Sequence, residues 1–422
     1  GEPRTPRLFQ QTEVECVDGT TQQLPFPSES TIQKGTSDKG VIFYDIVTPR
    51  VKQVIRNHYD CQTLTGARLE NQPTTVGACV GSHFDERFSW SELLSPVFSG
   101  KDVLSPLTLA LLEDSGFYRV FYDGSSNSPF GLGAGCDFVE RDCILDDAVP
   151  TYATGTFCNS VTVVRPSGRF DANENDILCD PTHTKMALCD LFDTTEVPKA
   201  YDGSFDGNNI RYFSDANLAS RSPHADFCPL PSLDIGIDCT DPETASGQLY
   251  YLHEEYGPTS RCINARTSAG RVRPACLRTI CNDDSRTVTV AGLVCEFDGE
   301  EHDIERLVPG FGATLTCPKL SSVCPHLFCP AGCSGRGVCN YDTHECDCFD
   351  QNDTSMSCNL DIGTRDPSQI PPSPSPVLVG VNWPSSSNPA DSPSSQYASS
   401  AVVKTTRSVV MLSLLSASCL SR

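Results

Sequence analysis

The chain has 422 residues, enough for two or three domains with a sizeable core. A formal charge of -23 and a pI near 4.6 exclude nucleic acid and anionic membrane surfaces as charge-read partners, since both demand basic patches. Twenty-three cysteines indicate an oxidising compartment and disulfides. Cys346-Asp347-Cys348 is spaced too tightly for a zinc ribbon.

Gly1-Glu2-Pro3-Arg4-Thr5-Pro6-Arg7 has neither an initiator methionine nor an apolar leader, which implies a processed or truncated N-terminus. Residues 10–40 are polar and turn-rich and read as a surface insertion carrying Cys16. Val41 to Val47 is β-branched and aromatic, a strand. Thr48 and Pro49 then read as N-cap and N1 of a helix whose apolar stripe is Val51, Val54, Ile55 and His58. On that stripe His58 reads as a packed core histidine, not a metal ligand. A second helix runs from Ser105 to Gly116, with serine as cap, Pro106 at N1 and glycine as the left-handed terminator.

The chemistry concentrates between His58 and Pro96. His58-Tyr59-Asp60-Cys61, Leu69-Glu70-Asn71-Gln72 and Gly81-Ser82-His83-Phe84-Asp85-Glu86-Arg87 stand in series, followed by Glu92-Leu93-Leu94-Ser95-Pro96. This stretch resembles the second half of the active site of leishmanolysin-type zinc metallopeptidases. The resemblance implies that His83 is the third zinc ligand and that Leu94 holds the place of the family's methionine turn. Phe84 and Asp85 replace the usual tryptophan and glutamate. Leucine conserves volume and apolarity at a floor position, so that departure should cost below about 1.5 kcal/mol. Glu70 and Glu92 are candidates to orient His83, with surface or helix-capping roles as the alternative. No His-Glu-x-x-His occurs in the chain, so two further zinc-binding histidines and the general-base glutamate are expected upstream of Gly1. Gly1 to Arg7 resembles the run that follows that helix in the invadolysins.

Leu111-Leu112-Glu113-Asp114-Ser115-Gly116 and Phe130-Gly131-Leu132-Gly133-Ala134-Gly135-Cys136-Asp137-Phe138-Val139 match further family landmarks. The glycines of the latter read as a tight backbone turn, not a nucleotide loop, since they do not give G-x-G-x-x-G. The resemblance implies a Cys61–Cys136 disulfide. Residues 136–322 read as a disulfide-stapled, loop-rich domain. Cys329, Cys333, Cys339, Cys346, Cys348 and Cys358 have epidermal-growth-factor-like spacing, which implies Cys329–Cys339, Cys333–Cys346 and Cys348–Cys358. Asn352-Asp353-Thr354 is a glycosylation sequon.

Residues 363–400 are a proline- and serine-rich stalk. The apolar run Ser408 to Leu420 is too short for a membrane span of roughly 20 residues. With Ala398-Ser399-Ser400 it resembles a glycosylphosphatidylinositol signal, an unprocessed C-terminus being the alternative.

Other motifs fail on their own residues. Asp171, Asn173 and Asn175 begin like a calcium loop, but Asp176 and Thr182 stand where glycine and glutamate are required. His253-Glu254-Glu255-Tyr256-Gly257 has glycine where a second zinc histidine would be. His302, His326 and His344 lack ligand spacing and read as solvated loop residues.

The expected fold class is α+β. The end of a metzincin catalytic domain (1–135) precedes a cysteine-rich β and loop domain (136–322), a growth-factor-like module (323–362), the stalk and the tail (401–422). The expected function is zinc-dependent hydrolysis of polypeptides outside the cell or at its surface, with this chain inactive alone. The alternative is a non-catalytic surface protein that binds cell-surface or matrix proteins; a secretory signal joined directly to Gly1 would favour it.

Overall fold

The computed structural model describes residues 10–71, 79–97, 99, 101–165, 174–195, 211–245, 254–267, 272–303 and 313–360. The readings on Gly1 to Arg7, Asp171, Asn173, His253, the stalk and the tail lie outside these residues.

Strands β1 (Gln10–Glu15) and β2 (Thr21–Phe26) form an antiparallel hairpin. Strands β3 (Ile32–Thr36), β4 (Ile42–Ile46) and β5 (Ala67–Arg68) form a second antiparallel sheet with β4 in the centre. Residues 10–40 are therefore not the strand-free insertion expected from their polarity. Val14 is buried, and Leu24 and Phe26 pack with it and Tyr44 beside the Cys16–Cys79 disulfide. A few inward residues in a polar hairpin are enough once a cross-link ties its turn to a distant segment.

Helix α1 (Pro49–Tyr59) starts where expected, but Thr48 makes no side-chain cap. Asp114, at the end of α3 (Pro106–Asp114), supplies it: the N–H groups of Arg50 and Val51 donate to its Oδ2 at 2.8 and 3.2 Å. A carboxylate there satisfies orphan donors and meets the positive end of the helix dipole. At the other helix Ser105 behaves as expected, accepting from Leu107 N–H at 3.0 Å. His58 Nε2 donates to the carbonyl of Phe130 at 2.8 Å, and burial pushes its pKa down to about 4. It is a neutral structural histidine.

The main core gathers Val51, Val54 and Ile55 of α1 with Leu69, Phe84, Phe88, Leu107, Phe130 and Phe138. Ala225, Cys228 and Leu230 join the same core, so residues on both sides of position 136 share it. A second core lies among Ile263, Leu277, Val288, Val290 and Leu315, beneath small antiparallel sheets. Eleven disulfides join all the described cysteines. Among them are Cys61–Cys136, Cys329–Cys339, Cys333–Cys346 and Cys348–Cys358.

The segment with those last three bridges forms a small hairpin module on α1. Asn57, almost fully buried, donates to the carbonyls of Gly332 and Gly337 at 3.0 and 2.9 Å, and accepts from Cys339 N–H at 3.1 Å. Tyr341 hydroxyl reaches the carbonyls of Asn57 and His58, both at 2.9 Å. Its ring lies against Gly133, where a Cβ would come within 2.6 Å of the ring and φ is +68°. The glycine-rich turn thus has a packing cause.

Candidate metal centre

The chain segments around His83 are held by backbone pairing. Leu69 and Phe84 form an antiparallel bridge, Glu70 N–H donates to the carbonyl of His83 at 3.1 Å, and Gly81 N–H donates to that of Glu70 at 2.6 Å. Adjacent residues of paired segments bring their side chains within reach of each other. Here they set Glu70 Oε1 at 2.6 Å from His83 Nδ1. A Cβ on Gly81 would overlap the Glu70 side chain, so glycine clears the way for this contact.

Glu70 is buried whereas the His83 side chain is 42% exposed. The hydrogen bond to Glu70 raises the His83 pKa above its ordinary value, against the smaller opposing effect of burial. Since a carboxylate accepts, Nδ1 carries the proton and the lone pair of the neutral ring falls on Nε2. Carboxylate-bound Nδ1 with Nε2 left for a cation is the usual arrangement of a metal-binding histidine. One imidazole with this arrangement suits a shared metal site but cannot hold an ion alone.

The backbone then doubles back beneath the histidine. Phe84 N–H donates to the carbonyl of Leu94 at 2.9 Å, and Leu94 is half-buried against the main core. Leu94 therefore lies one hydrogen bond from the residue that follows His83. Asp85 caps α2 (Glu86–Ser89) by accepting from Arg87 N–H at 2.9 Å. Phe84 is buried in the core.

Glu92 is used differently. Its two carboxylate oxygens accept from the hydroxyls of Ser105 and Thr108, at the start of α3, and burial pushes its pKa up to about 7. No contact with His83 is among its described hydrogen bonds, so of the two acidic candidates only Glu70 meets the histidine.

Two neighbours were not singled out as site candidates by the sequence. His224, in a single 3-10 turn (Pro223–Ala225), places Nδ1 at 3.8 Å from Glu70 Oε2. Glu86 is fully buried and neither of its oxygens has a hydrogen bond of normal geometry. Burial, and then repulsion from Glu70, Asp102 and Asp190, pushes its pKa up to about 8. Glu86 lies in the segment that carries His83 but had no role read for it, and His224 belongs to no motif and lies far along the chain.

Elsewhere among the described residues, three side-chain groups come within ligating distance of one another. Cys295, His302 and Cys317 form one; Cys329, Cys333 and Cys346 another; Cys61, Cys136 and Glu140 the third. All their cysteines are in disulfides and offer no thiolate. His302 and His344 are also less solvated than expected. The His302 side chain is 14% exposed, and His344 packs its ring 4.0 Å from that of Phe328. His326 is exposed, as expected.

The family model for leishmanolysin, the M8 peptidases, matches residues 32–328, and the chain belongs to that family. It is 26% identical over 371 residues to a leishmanolysin-like peptidase of Drosophila pseudoobscura pseudoobscura, covering 79% of this chain and 52% of that protein. The leishmanolysin homolog of Crithidia fasciculata is 24% identical over 297 residues, 66% of this chain and 41% of that protein. Leishmanolysin of Leishmania chagasi is 25% identical over 283 residues, 64% and 43% respectively. The chain thus spans about half the length of the curated relatives it matches.

Proposed function

We propose that this chain carries the third-ligand half of a zinc endopeptidase site, with His83 as that ligand. The 2.6 Å contact between His83 Nδ1 and Glu70 Oε1 carries the reading. It fixes the tautomer a metal requires, at the histidine where the family pattern calls for a ligand. Leu94 takes the place of the methionine turn, and its carbonyl anchors the backbone just after His83.

Zinc in such a site acts as a Lewis acid toward water and the scissile carbonyl of a polypeptide. The contribution of this chain is narrower: Glu70 orients one imidazole, and the Leu69–Phe84 bridge and the Leu94 turn hold its backbone still. The remaining two histidines and the general-base glutamate belong to a His-Glu-x-x-His helix that this sequence does not contain. The 422-residue chain alone is accordingly inactive.

An extracellular setting agrees with eleven disulfides and with the exposed sequon at Asn352. The hairpin module has the pairing pattern of a growth-factor-like unit, and a lipid anchor beyond the stalk would tether the protein to a cell surface.

The test is metal content. A form expressed together with the encoded upstream region should hold one zinc per chain, and His83→Ala should weaken zinc binding about 10- to 100-fold or more. Undiminished zinc in that variant refutes the assignment. Chelator-sensitive cleavage of casein by the 422-residue chain alone would refute the claim of inactivity.

A further inference from the structure

We propose that Tyr44 and the Cys16–Cys79 disulfide are positioning residues for His83, acting through the backbone that carries Glu70 and Gly81. The inference rests on the reading of His83 as a metal ligand oriented by Glu70, and extends it to the amino-terminal hairpin.

His83 stands at the edge of the β3–β4–β5 sheet. Glu70 N–H donates to the carbonyl of His83 and Asp85 N–H to that of Arg68, both at 3.1 Å, so residues 83–85 continue the sheet beyond β5. A slip of one residue in such a pairing would turn His83 to the opposite face, so its register has to be held.

A closed circuit of bonds holds it. One residue before Glu70, Leu69 N–H donates to the carbonyl of Tyr44 at 2.9 Å. The Tyr44 hydroxyl donates to the carbonyl of Glu15, the last residue of β1, at 2.8 Å. The next residue, Cys16, is bonded to Cys79. Two positions on, Gly81 N–H donates to the carbonyl of Glu70 at 2.6 Å and closes the circuit. His83 follows two positions later, with Nδ1 on the Glu70 carboxylate.

Tyr44, Cys16 and Cys79 are buried in one apolar cluster, and Val80 packs against both that cluster and the main core. The Phe26 ring of β2 meets the Tyr44 ring edge-on at 5.5 Å, which docks the hairpin on β4. Single hydrogen bonds open readily, whereas a disulfide does not. With the disulfide in the circuit, opening the Glu70–Gly81 pairing strains every other link, so the pairing opens only at the cost of the whole unit. The hairpin thereby serves the geometry of the metal-binding histidine.

The experiment uses the full 422-residue chain with 15N-labelled histidines, at a pH where the His83 ring is neutral. Long-range 15N–1H spectra report which ring nitrogen of each imidazole is protonated, and His83→Gln assigns the His83 signals. In the parent chain His83 should be held as the Nδ1–H tautomer. In Cys16→Ala/Cys79→Ala the ratio of Nδ1–H to Nε2–H at His83 should fall about fivefold, the effect of loosening one hydrogen bond. Tyr44→Phe keeps the packed ring and removes the hydroxyl link, and should lower the ratio about twofold. Cys158→Ala/Cys189→Ala removes a disulfide outside the circuit; it should weaken the fold and leave the ratio unchanged, which separates positioning from general stability.

An unchanged ratio in either circuit variant, or an equal fall in the Cys158→Ala/Cys189→Ala control, overturns the proposal. If the Cys16→Ala/Cys79→Ala chain does not fold, Tyr44→Phe decides, since it must lower the ratio. Glu70→Gln separates the two readings. A ratio altered by Glu70→Gln but by neither circuit variant sinks only the role of the circuit, whereas no response to Glu70→Gln sinks the Glu70 reading itself.

Discussion

Gly81 and Glu70 occupy the same space: a Cβ on the glycine would overlap the glutamate side chain that reaches His83. The glycine immediately upstream of the histidine therefore matters for what it leaves out. Backbone bonding in both directions between residues 70 and 81–83 would tolerate alanine, but the Glu70 carboxylate would not stay where it is.

Gly81→Ala should consequently fold while lowering the His83 pKa toward its ordinary value. The Glu70 hydrogen bond is the main cause of the raised pKa, so moving the carboxylate removes it. Proton NMR titration of the imidazole measures this directly. The sign also fixes a stability window: a raised histidine pKa contributes fully below the unfolded value and is lost as pH rises through the folded one. A His83 pKa that does not move in Gly81→Ala contradicts the steric account.

Glu86 gives a dependence of the same sign as His83, from a carboxyl rather than an imidazole. Its carboxyl holds a proton to about pH 8 in the fold, against 4.5 as its ordinary value. Between those values the unfolded chain has lost a proton that the folded chain keeps, so stability declines as pH rises and levels off above about 8. Glu92 and Asp190, each pushed by burial to about 7, act with the same sign. Glu86→Gln should therefore gain about 4 kcal/mol at pH 8 and almost nothing near pH 4.5. Urea unfolding at the two pH values checks it; an equal effect at both would show that ionisation is not the cause.

Asn57 is the polar pin of the hairpin module. Asn57→Ala leaves the carbonyls of Gly332 and Gly337 and the N–H of Cys339 without their partner in a buried seam. A loss of about 3 kcal/mol is expected, with each orphaned group costing about 1–3 kcal/mol before relaxation. Thermal or denaturant unfolding reads it, and a change within about 0.5 kcal/mol, the range of ordinary surface substitutions, would contradict the role.

Leu94→Met should be nearly silent in stability, below about 1.5 kcal/mol, because the two side chains conserve volume and apolarity. Leu94→Ala should cost about 2 kcal/mol, at the low end of core truncations, since the site is half-buried. Equal losses in both variants would argue that shape rather than apolar filling matters there.

Local chemistry was legible where it decided the outcome locally. Ser105, Pro106 and Gly116 delimited α3, and the stripe Val51, Val54 and Ile55 gave α1 its buried face. Thr48 looked like a cap because its residue type is right, yet Asp114 took the donors. Glu92 and Glu70 were equivalent candidates on paper, and the fold sent one to the α3 hydroxyls and the other to His83. The hairpin at 10–26 leaves little trace in the sequence because few of its residues point inward.

The sequence by itself determined the family, through the motif around His83, together with an oxidised, cysteine-rich chain of mixed helix and sheet. Tertiary structure alone decided which carboxylate serves the histidine, which residue caps α1, and that His224 stands beside Glu70. The physical reason is range. Caps, turns and periodicity depend on residues a few positions apart, whereas these contacts join residues from 13 to more than a hundred positions apart. They exist only after the entropy of closing long loops has been offset by core packing and disulfides.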